Sequence, residues 1–277
     1  GEQVAVLSSA EATLAIVDRS GQVIARYATQ PGARNLMVDA SQRRIYAGET
    51  VVDTTRQLTR TLRVPIPYGA PPGPSRTQAP EKLVRDTRRD LLYAVASNGI
   101  PGSNAGYIVL PLDKEGNYRE APAPGKLSVV DIIYDEEQDR FYTTNARMGI
   151  YGLQVSEAEN AKQILELALD RYPAAMALNP ATRHLWVAMP ARNPDTEGRN
   201  SALVAFDTRT FGRAATLQLD GLVEALTVDP RAGRVYMATD TGLLHVVQDV
   251  AMPAPPAPTL TLTPTPWPTA TPSRTPS

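Results

Sequence analysis

Five times in this chain an Asp or Asn stands seven residues ahead of an aromatic: Asp39 and Tyr46, Asp86 and Tyr93, Asp135 and Tyr142, Asn179 and Trp186, Asp229 and Tyr236. The spacing within each pair never varies, while successive pairs lie 47, 49, 44 and 50 residues apart. A recurrence of that length constrains the fold before any local reading. Each copy is one supersecondary unit that buries its apolar surface only by packing on its neighbours. The acid or amide opens a tight polar turn by accepting hydrogen bonds from backbone N–H groups one to three residues on. The aromatic falls in the strand that follows, where a large flat side chain packs against a neighbouring sheet. A large apolar residue always stands three before the turn: Leu36, Leu83, Ile132, Met176, Leu226. A catalytic Asp–Tyr pair is needed once, whereas a repeat core needs every copy, so these pairs read as structural.

Each period holds four short apolar or β-branched runs separated by turn residues, here lettered a to d. In the unit from Ala175 they are Ala175–Leu178, Leu185–Met189, Ala202–Phe206 and Ala215–Leu219. Helix signals are confined to Glu157–Leu169, whose second half, Ile164–Leu169, is expected to be strand d of its unit. The b strands Arg44-Ile-Tyr-Ala-Gly, His184-Leu-Trp-Val-Ala and Arg234-Val-Tyr-Met-Ala-Thr carry a family pattern. With them go c strands ending in Asp (Asp18, Asp53, Asp113, Asp207) and the Asp229-Pro230 turn. Together they resemble the YVTN family of β-propeller repeats, the group that includes quinoprotein amine dehydrogenase β-chain-like propellers. The resemblance covers about residues 3–250. It implies an all-β fold, a β-propeller of four-stranded antiparallel blades. It implies little about activity, because the fold hosts many.

The strand count predicts six blades. Val4–Leu7, Leu14–Val17 and Val23–Tyr27 read as b, c and d, four full units follow, and the chain then runs a, b, c to Val247. One d and one a are lacking, and the expectation is that a segment upstream of Gly1 supplies both. The alternative gives the last d to Thr259–Thr263. Residues 1–250 are thus the propeller. Residues 251–277 hold nine Pro and seven Thr with Arg274 as the only charge, too few apolar side chains and ladder donors for a core, so an extended linker or tail is expected. Such Thr/Pro tracts resemble wall-spanning or inter-domain linkers of secreted and surface proteins, which places the chain outside the cytoplasm or on the cell surface.

Composition removes several functions. Lys and Arg number 28 against 29 Asp and Glu, so no net field draws nucleic acid or an anionic membrane. Without cysteine there is neither a thiolate metal site nor a thiol nucleophile. No apolar run is long enough to span a membrane. His184 and His245 are not at metal-ligand spacing. His184 takes the place of Arg44, Arg140 and Arg234 in sister units and reads as a surface residue at a strand start. The acidic run Asp131, Asp135, Glu136, Glu137, Asp139 lacks the alternating ligands of an EF-hand and reads as solvated charge.

Loop lengths mark one face. In a blade the b–c and d–a connections leave on the face opposite the a–b and c–d turns. The long connections, Pro65–Pro80, Ser97–Gly106, Glu120–Ser128 and Pro190–Ser201, are all b–c or d–a, and variable loops on a rigid scaffold are where binding usually resides. Arg34, Asn35, Glu81, Lys82, Asp131 and Glu224 are expected to ring the channel mouth on that face, either as a ligand-binding rim or as solvated ion pairs. Asn193, Asp195, Glu197 and Asn200 place oxygen ligands on one loop, a candidate calcium site; no other cofactor is expected. The leading reading is a non-catalytic, monomeric binding scaffold for a protein, cell-wall or glycan partner. The alternative is a lactonase-like hydrolase, with Glu81, Asp131 and Glu224 holding a metal and Arg34 stabilising an oxyanion. A third, a redox subunit, requires a quinone-bearing second polypeptide.

Overall fold

The computed structural model describes residues 3–33, 35–65, 77–97, 107–124, 128–191 and 198–250. Every regular element among them is a β-strand. The first sheet is β1 (Gln3–Ser8), β2 (Thr13–Asp18) and β3 (Val23–Ala28). The second is β4 (Leu36–Asp39), β5 (Arg44–Ala47), β6 (Thr50–Asp53) and β7 (Leu58–Thr61). A two-stranded ribbon, β8 (Val64–Pro65) with β9 (Thr77–Gln78), leads to the third sheet, β10 (Lys82–Asp86), β11 (Leu91–Ser97) and β12 (Tyr107–Leu112). The fourth is β13 (Val129–Asp135), β14 (Arg140–Arg147), β15 (Ile150–Glu157) and β16 (Gln163–Leu169). The fifth is β17 (Ala175–Asn179), β18 (His184–Pro190), β19 (Asn200–Asp207) and β20 (Arg213–Asp220), and the sixth is β21 (Val223–Asp229), β22 (Arg234–Thr239) and β23 (Leu244–Gln248). All pairing is antiparallel between consecutive strands. The first strands of sheets two to six, β4, β10, β13, β17 and β21, pack side by side in that order. They form the inner wall about which the sheets are arranged.

The recurring hairpin folds as its chemistry dictates. The Oδ1 of Asp86 accepts from the N–H groups of Arg88 and Arg89 at 3.0 Å each, and that of Asp229 from Arg231 at 2.9 Å and Ala232 at 3.1 Å. Asp135 does the same with Glu137 and Gln138, while Asp39 accepts from the Gln42 N–H and Asn179 from the Ala181 N–H. Four residues after each acid the backbone turns left-handed, at Arg43 (φ 53°), Asp90 (56°), Asp139 (53°), Arg183 (65°) and Gly233 (60°). The strand then leaves with the aromatic pointing at the next sheet. Tyr46 packs with Leu83 of the third sheet, Tyr93 against Phe141 of the fourth at a ring-centroid distance of 4.6 Å, Tyr142 with Met176 of the fifth, and Trp186 with Val235 of the sixth. These four are buried, whereas Tyr236, on the last sheet of the described residues, is half-buried. Burying each aromatic is worth about 2–3 kcal/mol.

Three expectations need correction. The third sheet has three strands, and its d strand is reduced to one bridge between Tyr118 and Leu112. Pro122 and Pro124 follow and bring no N–H to a ladder. The β8–β9 ribbon was not anticipated. His184 is not a surface residue: it is buried at 3% exposure. The Glu157–Leu169 stretch does give strand d as expected, in β16. The Thr259–Thr263 alternative lies outside the described residues.

Candidate functional site

The long connections leave from a fixed base. Leu62 and Val64, which open the connection after β7, are buried with Leu83, Leu92 and Leu110. A short b–c hairpin, β14–β15, turns through Met148 and Gly149, both left-handed at φ 50° and 82°. On the opposite face all five a–b turns place four residues between the paired strands.

At the channel mouth, one repeat position lies four residues before the turn acid and is filled by Asn35, Lys82, Asp131, Ala175 and Ala225. Asn35 donates its Nδ2 to the Pro80 carbonyl at 2.7 Å, tying β4 to the start of β10. Asp131 is buried. Its Oδ1 accepts from its neighbour Ile132 N–H at 2.9 Å, and its Oδ2 from Met176 N–H at 2.8 Å, with Lys82 Nζ 3.6 Å away. One carboxylate therefore spans three inner strands. Burial pushes its carboxyl pKa up, against the pull of Lys82 and the two N–H groups. Of the residues assigned to the mouth, the structure thus joins Lys82 to Asp131. Glu81 and Glu224 are exposed, the latter in the bulge that opens β21. Arg34, Asn193, Asp195 and Glu197 lie outside the described residues. Asn200, the remaining member of the candidate calcium loop, accepts Arg171 Nη1 on its Oδ1 at 2.9 Å. Among the described residues no group of three or more His, Asp or Glu is arranged to hold a metal.

The strongest polar chemistry lies between sheets, at the a–b turns. Arg85 Nε stands 3.2 Å from Asp39. Arg89 forks onto Asp139 at 2.8 and 2.7 Å while bonding Asp86 at 2.9 Å, which holds the Asp139 carboxyl down to about 2. Arg183 pairs with Asp135 and, at 3.1 Å, with Glu137. Tyr142 donates to the same Asp135 at 3.0 Å, and burial in this cluster pushes its phenol up. The fifth junction is built differently. Asp249 accepts from Asn179 at 2.6 Å, Thr182 at 2.7 Å and Trp186 Nε1 at 3.0 Å, and lies 2.6 Å from His184 Nδ1. Burial raises this carboxyl, but the ring of donors outweighs it and holds the pKa below its ordinary value. Where the fourth sheet supplies the acid and the fifth the cation, the fifth supplies amide and imidazole and the sixth supplies the acid. Two sequence signals mark this site: Asn179 in an Asp position, and Gly233 in the position held by Arg183.

No known family matches the sequence, and no curated protein does. Solved structures do match. Hydrazine synthase of Kuenenia stuttgartiensis aligns at 13% identity and TM-score 0.64, over 90% of this chain and 81% of that one. A chain of a nidogen/laminin complex aligns at 11% identity and TM-score 0.61, over 89% of both. A chain of the mitotic checkpoint complex aligns at 12% and 0.59, over 88% of this chain and 71% of that one. All three are β-propellers. This chain is a β-propeller. Its six sheets are the blades, and the charged clusters just described are the joints between consecutive blades of the propeller.

Proposed function

We propose that this propeller is a non-catalytic binding scaffold with repeats of the YVTN type, secreted or held at the cell surface, that engages a protein or glycan partner through its long-loop face. The observation that carries this reading is the contrast between the two faces: uniform bonded hairpins on one, and on the other long connections springing from buried roots such as Leu62 and Val64. A face of that kind varies without cost to the core. Two of the similar propellers belong to multi-protein complexes, a use in keeping with this reading, and the Thr/Pro tail supports an extracytoplasmic setting. As part of the same reading, Asn193, Asp195, Glu197 and Asn200 bind calcium and order one of the loops.

A thermal-shift screen of the whole chain with cell-wall fragments, glycans, lactones and calcium tests this. A ligand at a hundred times its Kd adds about 2.7 kcal/mol of stability. The expected result is a shift that disappears when residues 98–106 and 192–197 are each replaced by an Asn-Gly turn, with the ligand-free melt preserved. A calcium shift should vanish in Asp195→Ala. Hydrolysis of a lactone that is lost in Glu224→Ala at unchanged melting temperature would replace the scaffold reading with the hydrolase.

A further inference from the structure

The central channel opens a second time, on the face of the a–b turns, away from the long loops. There β13, β17 and β21 border a wide-open cavity of about 720 Å³, a size typical of small-molecule sites. Its lining is mixed: Met176, Leu178, Leu226 and Val228 supply apolar surface, Tyr134 and Thr227 supply hydroxyls, and its mouth carries Glu136 and Glu137. Asp135 also lines the cavity, but Arg183 and Tyr142 already hold it. The two glutamates are only partly committed. Glu136 accepts the Thr87 hydroxyl through Oε1, and Glu137 accepts Arg183 through Oε2, with its side chain 68% exposed. Arg88 is the cation of the lining, and it stands 3.9 Å from Asp139. Three carboxylates, Asp135, Glu136 and Glu137, thus face two cations, Arg88 and Arg183.

We propose that this mouth binds a small amphiphilic cation, its ammonium or guanidinium head between Glu136 and Glu137 and its alkyl or aryl body in the channel. An anionic amphiphile of the same length meets the same walls and the opposite sign of charge, so it binds less well. The site is independent of the long-loop face, and its failure leaves the scaffold reading untouched.

Isothermal titration of the full chain with octylammonium, octanoate and butylammonium tests the assignment. Octylammonium is expected to bind at one saturable site, more tightly than either of the others, and to weaken as salt is raised. Removing both mouth charges in Glu136→Gln/Glu137→Gln should weaken it about five- to tenfold, the worth of two exposed charges. Thr227→Trp, which fills the cavity from an exposed position on β21, should abolish it. Equal binding of octylammonium and octanoate overturns the proposal. So does binding that survives Thr227→Trp, since the amphiphile then sits on apolar surface elsewhere. The comparison of the three probes on the unaltered chain decides the matter even if Thr227→Trp fails to fold.

Discussion

Single residues carry the hairpin, and their strain is measurable. In the turn between β6 and β7, Gln57 is exposed and left-handed at φ 55°, a conformation that costs a side-chain-bearing residue about 1 kcal/mol and glycine nearly nothing. Gln57→Gly is therefore expected to raise stability by about 0.5–1 kcal/mol in urea denaturation, and an unchanged midpoint would count against the strain. Asp139 gives a pH signature. Its carboxyl titrates near 2 in the folded chain because Arg89 grips it, and at its ordinary 3.8 once that grip is gone. Folded lower than unfolded, the group stabilises fully above pH 4 and loses that contribution as pH falls from about 4 toward 2. Asp139→Asn should lower stability at pH 7 by about 1–2 kcal/mol, discounted for partial exposure, and flatten the acid limb of the stability curve. A parallel downward shift with the limb retained would assign that limb to other carboxylates.

At the level of elements, the repeat was legible because its periodicities are local: turn acid, left-handed fifth residue and strand aromatic all lie within eight residues. The face of the long connections followed from strand order. What stayed hidden depended on contacts far apart in sequence. Asp249 lies 70 residues from Asn179, and nothing in its own neighbourhood marks it as a partner. His184 looked like its sister arginines at a strand start, yet burial beside Asp249 gives it the opposite role. The d strand of the third blade failed for a local reason, prolines at 122 and 124, which strand counting overlooked. Of the candidate mouth residues, Asp131 turned out to bind backbone of the next blade, a partnership that spacing alone does not reveal. The inverted fifth joint yields a prediction against the repeat's own consensus. Asn179→Asp restores the majority residue but sets a second carboxylate against Asp249. It should destabilise by about 2–4 kcal/mol at pH 7 and recover as the medium is acidified. Asp249→Asn keeps the shape, exchanges the anion for an amide and should cost a similar amount, without that recovery. Thermal melts of both variants at pH 7 and 4.5 separate the two.

Over the whole molecule, stability is not spread evenly. β18 is buried almost throughout and paired on both sides. Among the described residues β1 is paired on one edge only, as is β23, and apolar side chains lie open along both, Val4 at 59% and Leu244 at 64%. Val38, on the inner strand facing β1, is equally open at 58%. Hydrogen exchange should find the amides of β18 slowest and those of β1 and β23 fastest, by several orders of magnitude in rate. Comparable protection of all three would mean that the edges are covered. Val246→Lys, a charge on an open edge, should leave the melt unchanged while reducing self-association in sedimentation. The joints have a further consequence. Because Arg89 fits Asp139, Arg183 fits Asp135 and Asp249 fits the Asn179–His184 pair, the three seams from blade three to blade six are not interchangeable. A chain in which blades four and five traded places would have the same strands and the same turns, and would bring Asp135 to Asp249, anion to anion, at one seam and Arg89 to Arg183, cation to cation, at another. The molecule is a ring of near-identical words whose punctuation permits one order.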